Sequence, residues 1–309
     1  MSLLVVNNVS KAYSGNSPFG RGGKVQAVSE VTFSLEDGDC LGIVGESGSG
    51  KSSLGRLLVG LEKPDSGQVL FQDHQVDRRG RDKALQSGLQ MVFQDSNDAV
   101  NPRFSATKIL AEPLKNFFDL KGQALRDRVG ELLEAVGIPA SECEKYPSQF
   151  SGGQLQRICI ARALAAKPKL IVLDEPLRGL DVSVQAQILN LLSDLRKNFG
   201  VSYIFISHDL EAVYNLANRL AVMFGSRLVE MIDDLSLFNS IKHPYSLALM
   251  ASAQFRLTDS PPLISEKKVS LGGCVYSDRC PQAFKDCFAK VPPLISLESG
   301  HLVACHLKA

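Results

Sequence analysis

The sequence predicts an α/β fold with a buried, mainly parallel sheet at its centre. Residues 40–44 (CLGIV) and 170–173 (LIVL) are wholly apolar, as expected of strands that are covered on both faces. A glycine-rich turn and a helix-like run follow the first of these strands, and further strand and helix patterns alternate after the second. Such alternation is typical of a parallel sheet flanked by helices.

The composition is that of an ordinary globular chain of 309 residues, which suggests about two domains. Because 34 Lys and Arg residues balance 33 Asp and Glu residues, the net charge is +1 and gives no argument for nucleic acid or anionic lipid. No stretch approaches the ~18 apolar residues of a spanning helix. Residues 1–10 lack the features of a secretory signal. We therefore expect a cytosolic chain that works at a membrane only by docking on other chains.

An N-terminal β layer precedes the first buried strand. Residues 3–9 and 25–35 have the apolar, β-branched character of strands, and residues 14–24, rich in glycine and serine, predict a loop between them. Tyr13 lies near this layer. It is either an ordinary strand-end tyrosine or an aromatic ring that stacks on a nucleotide base.

The turn after residues 40–44 matches the P-loop pattern G-x-x-x-x-G-K-[ST]. Its glycines let the backbone approach an anion, and backbone N–H groups and a helix N-terminus then face phosphates. Lys51 would reach the β and γ phosphates, and the Ser52 hydroxyl would ligate Mg²⁺. The predicted nucleotide-binding residues of this loop are Gly45, Glu46, Ser47, Gly48, Ser49, Gly50, Lys51, Ser52 and Ser53.

Polar residues follow three further predicted strands, where open α/β sheets bind ligands. Asp174 and Glu175 follow residues 170–173, so Asp174 would bind Mg²⁺ through water and Glu175 would polarise the attacking water. Gln94 follows residues 89–93 and could reach a metal or water, or be an ordinary strand-end residue. His208 follows residues 201–207 and would contact the γ-phosphate, although a lone histidine is usually structural.

Two helical regions lie between these strands. Residues 105–138 carry apolar residues at helical spacing, which we interpret as the core packing of a helical insertion: Ile109, Leu110, Leu114, Phe117, Val129, Leu132, Leu133 and Val136. A second helix starts at Ser151, a suitable cap, and its paired glycines allow close approach of an anion. The residues of this start are Ser151, Gly152, Gly153 and Gln154.

Four of the seven cysteines crowd into the last 36 residues, at Cys274, Cys280, Cys287 and Cys305. In a cytosolic protein this pattern argues against disulfides. Four thiolates fit either tetrahedral zinc or an iron–sulfur cluster, and unmetallated thiols remain a third interpretation. The tight C-x2-C pairs that are usual at zinc sites are absent.

These motifs, in this order, resemble the ATP-binding cassette (ABC) family over residues 3–235. The matches are Walker A (45–52), the Q-loop (Gln94), the signature (151–154), Walker B (170–175), the D-loop (Asp181), the switch histidine (His208) and the base-stacking aromatic (Tyr13). The resemblance implies a P-loop NTPase (RecA-like) core with an N-terminal antiparallel β layer. We expect an ATPase domain over residues 1–240, with a helical subdomain at about 96–160.

The family resemblance also implies how the chain works. Its cofactors would be ATP and Mg²⁺, and it would hydrolyse ATP as a dimer. The signature of one subunit, with Asp181, would close over the nucleotide held by the P-loop of the other. Closure of the dimer would then drive partner chains through a conformational cycle.

Residues 44–56, 92–95, 101–103 and 180–189 look like the ATPase subunits of oligopeptide, dipeptide and nickel importers. Residues 243–245 (HPY) and 272–281 look like the C-terminal extension of the peptide branch, so we expect a small Cys-rich domain over residues 241–309. That likeness favours a [4Fe–4S] cluster over zinc.

The implied partners are two integral membrane permease subunits, a second ABC ATPase that is a paralogue, and indirectly an extracytoplasmic solute-binding protein, with no nucleic acid. The chain would lie peripherally on the cytoplasmic face of the inner membrane and energise peptide uptake. Nickel or another small solute is the alternative cargo, and a non-transport ABC ATPase is the alternative class. Two departures from the family pattern are residues 97–100 and 177–179, where Arg178 replaces a small residue near Glu175.

Overall fold

A computed structural model of the chain describes residues 2–14, 24–76, 82–254 and 272–308. Residues 15–23, which contain most of the loop predicted at 14–24, lie outside the described residues. No helix in the described part is long and apolar enough to span a membrane.

The central sheet has eight strands in the order β11-β12-β10-β9-β3-β8-β7-β6. Neighbouring strands from β9 to β6 are parallel, which confirms the predicted parallel centre, and the other pairs are antiparallel. The strands are β3 (Cys40–Val44), β6 (Leu89–Val92), β7 (Leu170–Asp174), β8 (Ser202–Ser207), β9 (Arg219–Phe224), β10 (Arg227–Ile232), β11 (Ile295–Glu298) and β12 (His301–Val303). Because β3 is in the middle and is buried throughout, the loop that follows it starts from a fixed point.

A separate antiparallel sheet of four strands in the order β2-β1-β4-β5 forms the predicted N-terminal β layer. Its strands are β1 (Ser2–Ser14), β2 (Lys24–Glu36), β4 (Ser66–Phe71) and β5 (His74–Gln75). One apolar core joins this sheet to the central sheet, with helix α1 (Lys51–Leu58) contributing Leu54, Leu57 and Leu58 between them. The helix that starts at the P-loop is therefore enclosed between two sheets.

The other helices are α2 (Lys83–Gly88), α3 (Ala106–Phe118), α4 (Gly122–Ala135), α5 (Gly152–Ala165), α6 (Val182–Phe199), α7 (Leu210–Leu216), α8 (Pro244–Gln254) and α9 (Lys285–Ala289). Helices α3 and α4 confirm the helical block predicted at 105–138. Its apolar stripe packs in a second apolar core, which also contains residues of α5, α6 and the central sheet; Ile109, Leu110 and Leu133 are almost fully buried there. The interpretation as core packing is confirmed for all residues of the stripe except Phe117, which is half-buried and lines a groove between β6 and α3.

The C-terminal segment, residues 241–309, is described over residues 241–254 and 272–308 and is hydrogen-bonded into the central sheet. Strand β12 pairs with β10, with Glu230 opposite Val303 and Ile232 opposite His301. A buried hydrogen bond joins the two strands at this seam, because His301 Nε2 lies 2.8 Å from Glu230 Oε1 and both side chains are almost completely buried. The sequence gives no sign of this junction, since both added strands are short.

Candidate active site

The P-loop connects the end of β3 to the start of α1, as predicted. Gly45 (φ +154°) and Gly50 (φ +101°) adopt backbone conformations that side chains rarely allow. A Cβ on Gly45 would lie 2.1 Å from the carbonyl oxygen of Met223, and one on Gly50 would lie 1.9 Å from that of Ala27. Both positions therefore require glycine, and the loop fits closely against its neighbouring strands.

The Lys51 ammonium folds back over its own loop. Its Nζ donates to the carbonyl oxygens of Gly45 (2.7 Å) and Glu46 (2.8 Å) and lies 3.4 Å from Ser49 Oγ. Burial lowers the pKa of Lys51, and the nearby negative charges of Glu175 and Asp174 oppose that shift. A partly desolvated cation in this position is suited to a polyanionic ligand.

Ser52 and Asp174 meet directly beneath the loop. The Ser52 hydroxyl donates to Asp174 Oδ1 at 2.8 Å, although the two residues are 122 positions apart. Burial raises the pKa of Asp174, and the bond from Ser52 opposes the rise. A hydroxyl and a carboxylate oxygen beside a phosphate-binding loop fit the oxygen donor set that Mg²⁺ prefers.

Glu175 lines an adjoining cleft of about 340 Å³ together with Ser47, Arg178 and His208. Its backbone has a positive φ of 45°, which for a residue with a side chain marks a strained position. Its Oε2 lies 3.4 Å from Arg178 Nη1 and 3.6 Å from His208 Nδ1. The structure thus brings Glu175 and His208 together, and adds Arg178 as a cationic neighbour.

Gln94 follows β6 in a loop and is partly buried. Within the described part of the chain its side chain has no hydrogen-bond partner. Tyr13 lies near the end of β1, where its hydroxyl donates to Glu62 Oε2 and Lys11 Nζ lies 5.9 Å from its ring centre. Burial raises the pKa of Tyr13, and the hydrogen bond to Glu62 adds to the rise.

The start of α5 confirms Ser151 as a helix cap. Ser151 Oγ accepts from the Gln154 N–H at 3.3 Å, and Gln154 Oε1 accepts from the Ser151 N–H at 3.0 Å. A Cβ on Gly153 would lie 2.5 Å from Val184 Cγ1, so this glycine permits close packing of α5 on α6. No hydrogen bond joins residues 151–154 to the P-loop within the described residues, and Ser151 and Gly152 are exposed.

Asp181 lies at the N-terminal end of α6, where its carbonyl oxygen accepts from the Gln185 N–H at 2.9 Å. Its side chain is exposed and does not cap the helix. The next residue, Val182, exposes 76% of its surface. Single exposed apolar residues are common on protein surfaces, so Val182 by itself does not mark an interface.

The four C-terminal cysteines are free thiols; Cys274, Cys287 and Cys305 are buried and Cys280 is half-buried. Burial raises the pKa of Cys274, Cys280 and Cys305, and the charges of the other thiols in the set add to the rise. The Cys274 N–H donates to the Cys287 carbonyl oxygen at 2.7 Å, so these two cysteines lie on adjacent backbone segments. Nevertheless, no group of three or more His, Cys, Asp or Glu side chains in the described ranges is arranged so that it could hold a metal ion.

Sequence reasoning missed two residues that reach the P-loop from the C-terminal segment. Arg279 binds the Glu46 carboxylate through both terminal nitrogens, and the Tyr245 hydroxyl accepts the Glu46 N–H. Glu46, which the sequence assigned to nucleotide binding, thus has protein partners for both its side chain and its N–H. The only available signal was the resemblance of residues 243–245 and 272–281 to a family extension.

Family models match two parts of the chain. The model for "ABC transporter" matches residues 28–178, and the model for "Oligopeptide/dipeptide transporter, C-terminal region" matches residues 229–287. Among solved structures, a dimeric post-hydrolysis cassette MJ0796 bound to ADP and Pi is 27% identical, with a TM-score of 0.64 over 73% of this chain and 96% of that one. CbiO1 from Clostridium perfringens is 26% identical, with a TM-score of 0.67 over 82% of this chain and 96% of that one.

Curated relatives cover almost the whole chain. The probable peptide ABC transporter ATP-binding protein y4tS of Sinorhizobium fredii is 44% identical over 92% of this chain and 83% of its own length. The oligopeptide transport ATP-binding protein AppF of Bacillus subtilis is 39% identical over 92% of this chain and 90% of its own length. Together with the P-loop, the Ser52–Asp174 pair and Glu175 at the strand ends, these matches show that the chain belongs to the ABC transporter family and is an ABC-type ATPase.

Proposed function

We propose that this chain is the ATP-hydrolysing subunit of an ABC importer and energises peptide uptake through partner membrane subunits. The observation that supports the ATPase role most directly is that Lys51, the Ser52–Asp174 pair and Glu175 lie together at the P-loop. The peptide assignment rests on the C-terminal family match and on relatives that are named for peptide or oligopeptide transport.

Each side chain has a distinct task in this proposal. Lys51 exchanges its bonds to the loop carbonyls for bonds to β- and γ-phosphate oxygens. Ser52 and Asp174, with Gln94, would hold Mg²⁺, which would neutralise charge on the phosphates. Glu175 accepts a proton from the water whose oxygen attacks the γ-phosphorus as the bond to ADP breaks. His208 contacts the γ-phosphate in this arrangement.

The remaining candidate residues act at the rim of the site. Tyr13 stacks on the adenine base, and the N–H groups from Ser47 to Ser53 surround the phosphates. Residues 151–154 and Asp181 complete the site of a second subunit, which is consistent with the exposure of Ser151, Gly152 and Asp181 and with the lack of hydrogen bonds from residues 151–154 to the P-loop of the same chain within the described residues. A paralogous second ATPase, giving a heterodimer, is the form that we propose.

A groove of about 340 Å³ between β6 and α3 is the proposed docking site for one of the two permease subunits. Leu61 and Phe93 are exposed at this groove, and Glu112 and Arg162 add charges to it. Because Gln94 follows Phe93, a partner bound there would adjoin the nucleotide site. Phe93→Asp should abolish co-purification of the permease while leaving ATP affinity unchanged. Phe199→Asp, a change at another exposed phenylalanine, is the control; retention of the permease by Phe93→Asp would reject this docking site.

We further propose that residues 241–309 form an extension to an ATPase unit of residues 1–240, and that its four cysteines ligate a [4Fe–4S] cluster. The support is the chemistry of the donor set, four free thiols, two of which lie on segments joined by the hydrogen bond from the Cys274 N–H to the Cys287 carbonyl oxygen. Their side chains must turn to converge on a metal. Anaerobically purified protein should contain iron and acid-labile sulfide. Stoichiometric zinc without iron, or no metal, would overturn the cluster.

Affinity purification from gently solubilised native membranes tests the transport role. We expect two polytopic membrane chains and a second ATPase to co-purify, with the chain released from the cytoplasmic face as a peripheral subunit. The extracytoplasmic solute-binding protein of that complex then identifies the peptide. Recovery with ribosomes or DNA and without any membrane chain would overturn the importer assignment but not the ATPase assignment.

A further inference from the structure

Glu46, the second residue of the P-loop, is held by two residues from the C-terminal part of the chain. Arg279 Nη1 donates to Glu46 Oε2 at 2.8 Å and Nη2 donates to Oε1 at 2.7 Å, which is a two-point ion pair. The Glu46 N–H donates to the Tyr245 hydroxyl at 2.9 Å. We call Glu46, Tyr245 and Arg279 the Glu46 clamp.

An aromatic cluster holds the clamp in place. The Arg279 guanidinium lies 5.2 Å from the ring centre of Phe224, the last residue of β9, and 5.7 Å from that of Tyr276. The Tyr245 ring packs on the same two residues, with centroid distances of 4.5 Å to Phe224 and 5.5 Å to Tyr276. Tyr245 and Tyr276 are buried, so the clamp is anchored on the central sheet.

The clamped residue in turn organises the rest of the loop. The Glu46 carbonyl oxygen accepts from Lys51 Nζ at 2.8 Å and from the Ser49 N–H at 3.2 Å. The Glu46 side chain and N–H bond Arg279 and Tyr245, whereas the Glu46 carbonyl oxygen bonds groups of the P-loop. Displacement of Glu46 would therefore displace the groups that set the position of the Lys51 ammonium.

We propose that Arg279 and Tyr245 are positioning residues for the P-loop, and that nucleotide affinity therefore depends on the docking of the C-terminal segment. This inference rests on the proposed function of the loop as an ATP site. Arg279 and Tyr245 do not touch the nucleotide and act through Glu46. The segment that carries the cysteines is thereby coupled to the phosphate-binding loop by direct contacts.

The test is equilibrium binding of a non-hydrolysable ATP analogue with Mg²⁺ to the full chain. Because the Glu46 and Arg279 side chains are 38% and 21% exposed, we expect Arg279→Gln to weaken binding by about fivefold. Arg279→Lys should restore part of the affinity, and Tyr245→Phe should weaken binding without removing any charge. The control is Arg227→Gln, which breaks an exposed pair with Glu30 (2.7 Å) and should leave affinity unchanged.

A double-mutant cycle separates positioning from general loss of structure. If Arg279 acts through Glu46, then Arg279→Gln should cost nothing further in a Glu46→Gln background. Additive effects of the two changes, or wild-type affinity in both Arg279→Gln and Tyr245→Phe, would overturn the inference. Absence of nucleotide binding by the wild-type chain would instead overturn the proposed function itself. If Arg279→Gln does not fold, Tyr245→Phe alone decides the outcome.

Discussion

Gly50→Ala should disable nucleotide binding, because the structure leaves no room for a side chain at this position. The added Cβ would lie 1.9 Å from the Ala27 carbonyl oxygen, whereas real Cβ atoms keep at least about 3.0 Å from such an atom. Strand β2 is hydrogen-bonded on both sides of Ala27, because the Gln26 carbonyl oxygen accepts from the Ser226 hydroxyl and the Ser29 N–H donates to the Ser226 carbonyl oxygen. The P-loop must therefore move by about 1 Å, and a misplacement of that size costs about 100-fold in a positioned site.

Gly38→Ala is the matched control for this change. Gly38 has a similar positive φ of 82°, but a Cβ there would meet nothing within 4 Å. The backbone strain alone should cost about 1 kcal/mol, which lowers the melting temperature by about 2 °C and leaves nucleotide affinity unchanged. Titration of each variant with a fluorescent ATP analogue, alongside thermal unfolding, measures both effects. Near wild-type affinity of Gly50→Ala would refute the steric argument.

Three further predictions concern the site and the C-terminal seam. Arg178→Ala removes the cation that lies 3.4 Å from Glu175 Oε2, and it should raise kcat by up to about fivefold in steady-state ATPase assays. A lower kcat would mean that Arg178 assists the reaction. Glu230→Ala removes the buried carboxylate that bonds His301 Nε2 and accepts the N–H groups of Lys242 and His243, so it should lower the free energy of unfolding by about 3 kcal/mol in urea; a loss below 1 kcal/mol would contradict this buried network. Burial lowers the pKa of His243 to about 4 from 6.5, so the unfolded chain takes up the proton first as the solution is acidified. The contribution of His243 to the free energy of unfolding should therefore be fully present above about pH 6.5 and about 2 kcal/mol smaller at pH 5. His243→Asn should largely abolish this loss.

Residues that act near the ends of core strands were predictable from the sequence. The P-loop, Asp174, Glu175 and His208 each follow an apolar run, and parallel strands bring their carboxyl ends to one edge of a sheet. The Ser52–Asp174 bond across 122 positions follows from that topology. The cap at Ser151 was predictable because capping depends on residues only three positions apart.

Contacts made by the C-terminal segment were not predictable in the same way. Arg279 and Glu46 are 233 positions apart, and no periodicity or turn signal relates them. Strands β11 and β12 have four and three residues, which is too short for a clear pattern. The place of β12 is fixed by its pairing with β10 and by the buried hydrogen bond between His301 and Glu230, and β11 pairs with β12 at the sheet edge.

We propose that Glu175 activates water for ATP hydrolysis and that the site binds ATP without the Glu175 carboxylate. The decisive measurement compares ATP affinity and steady-state hydrolysis of Glu175→Gln and wild type, each assembled with its co-purified partners. Glu134→Gln, a change at an exposed glutamate on α4, is the control. We predict that Glu175→Gln lowers kcat by at least about 100-fold and leaves ATP bound with near wild-type affinity. Hydrolysis at the wild-type rate in Glu175→Gln would contradict the assignment of the general base.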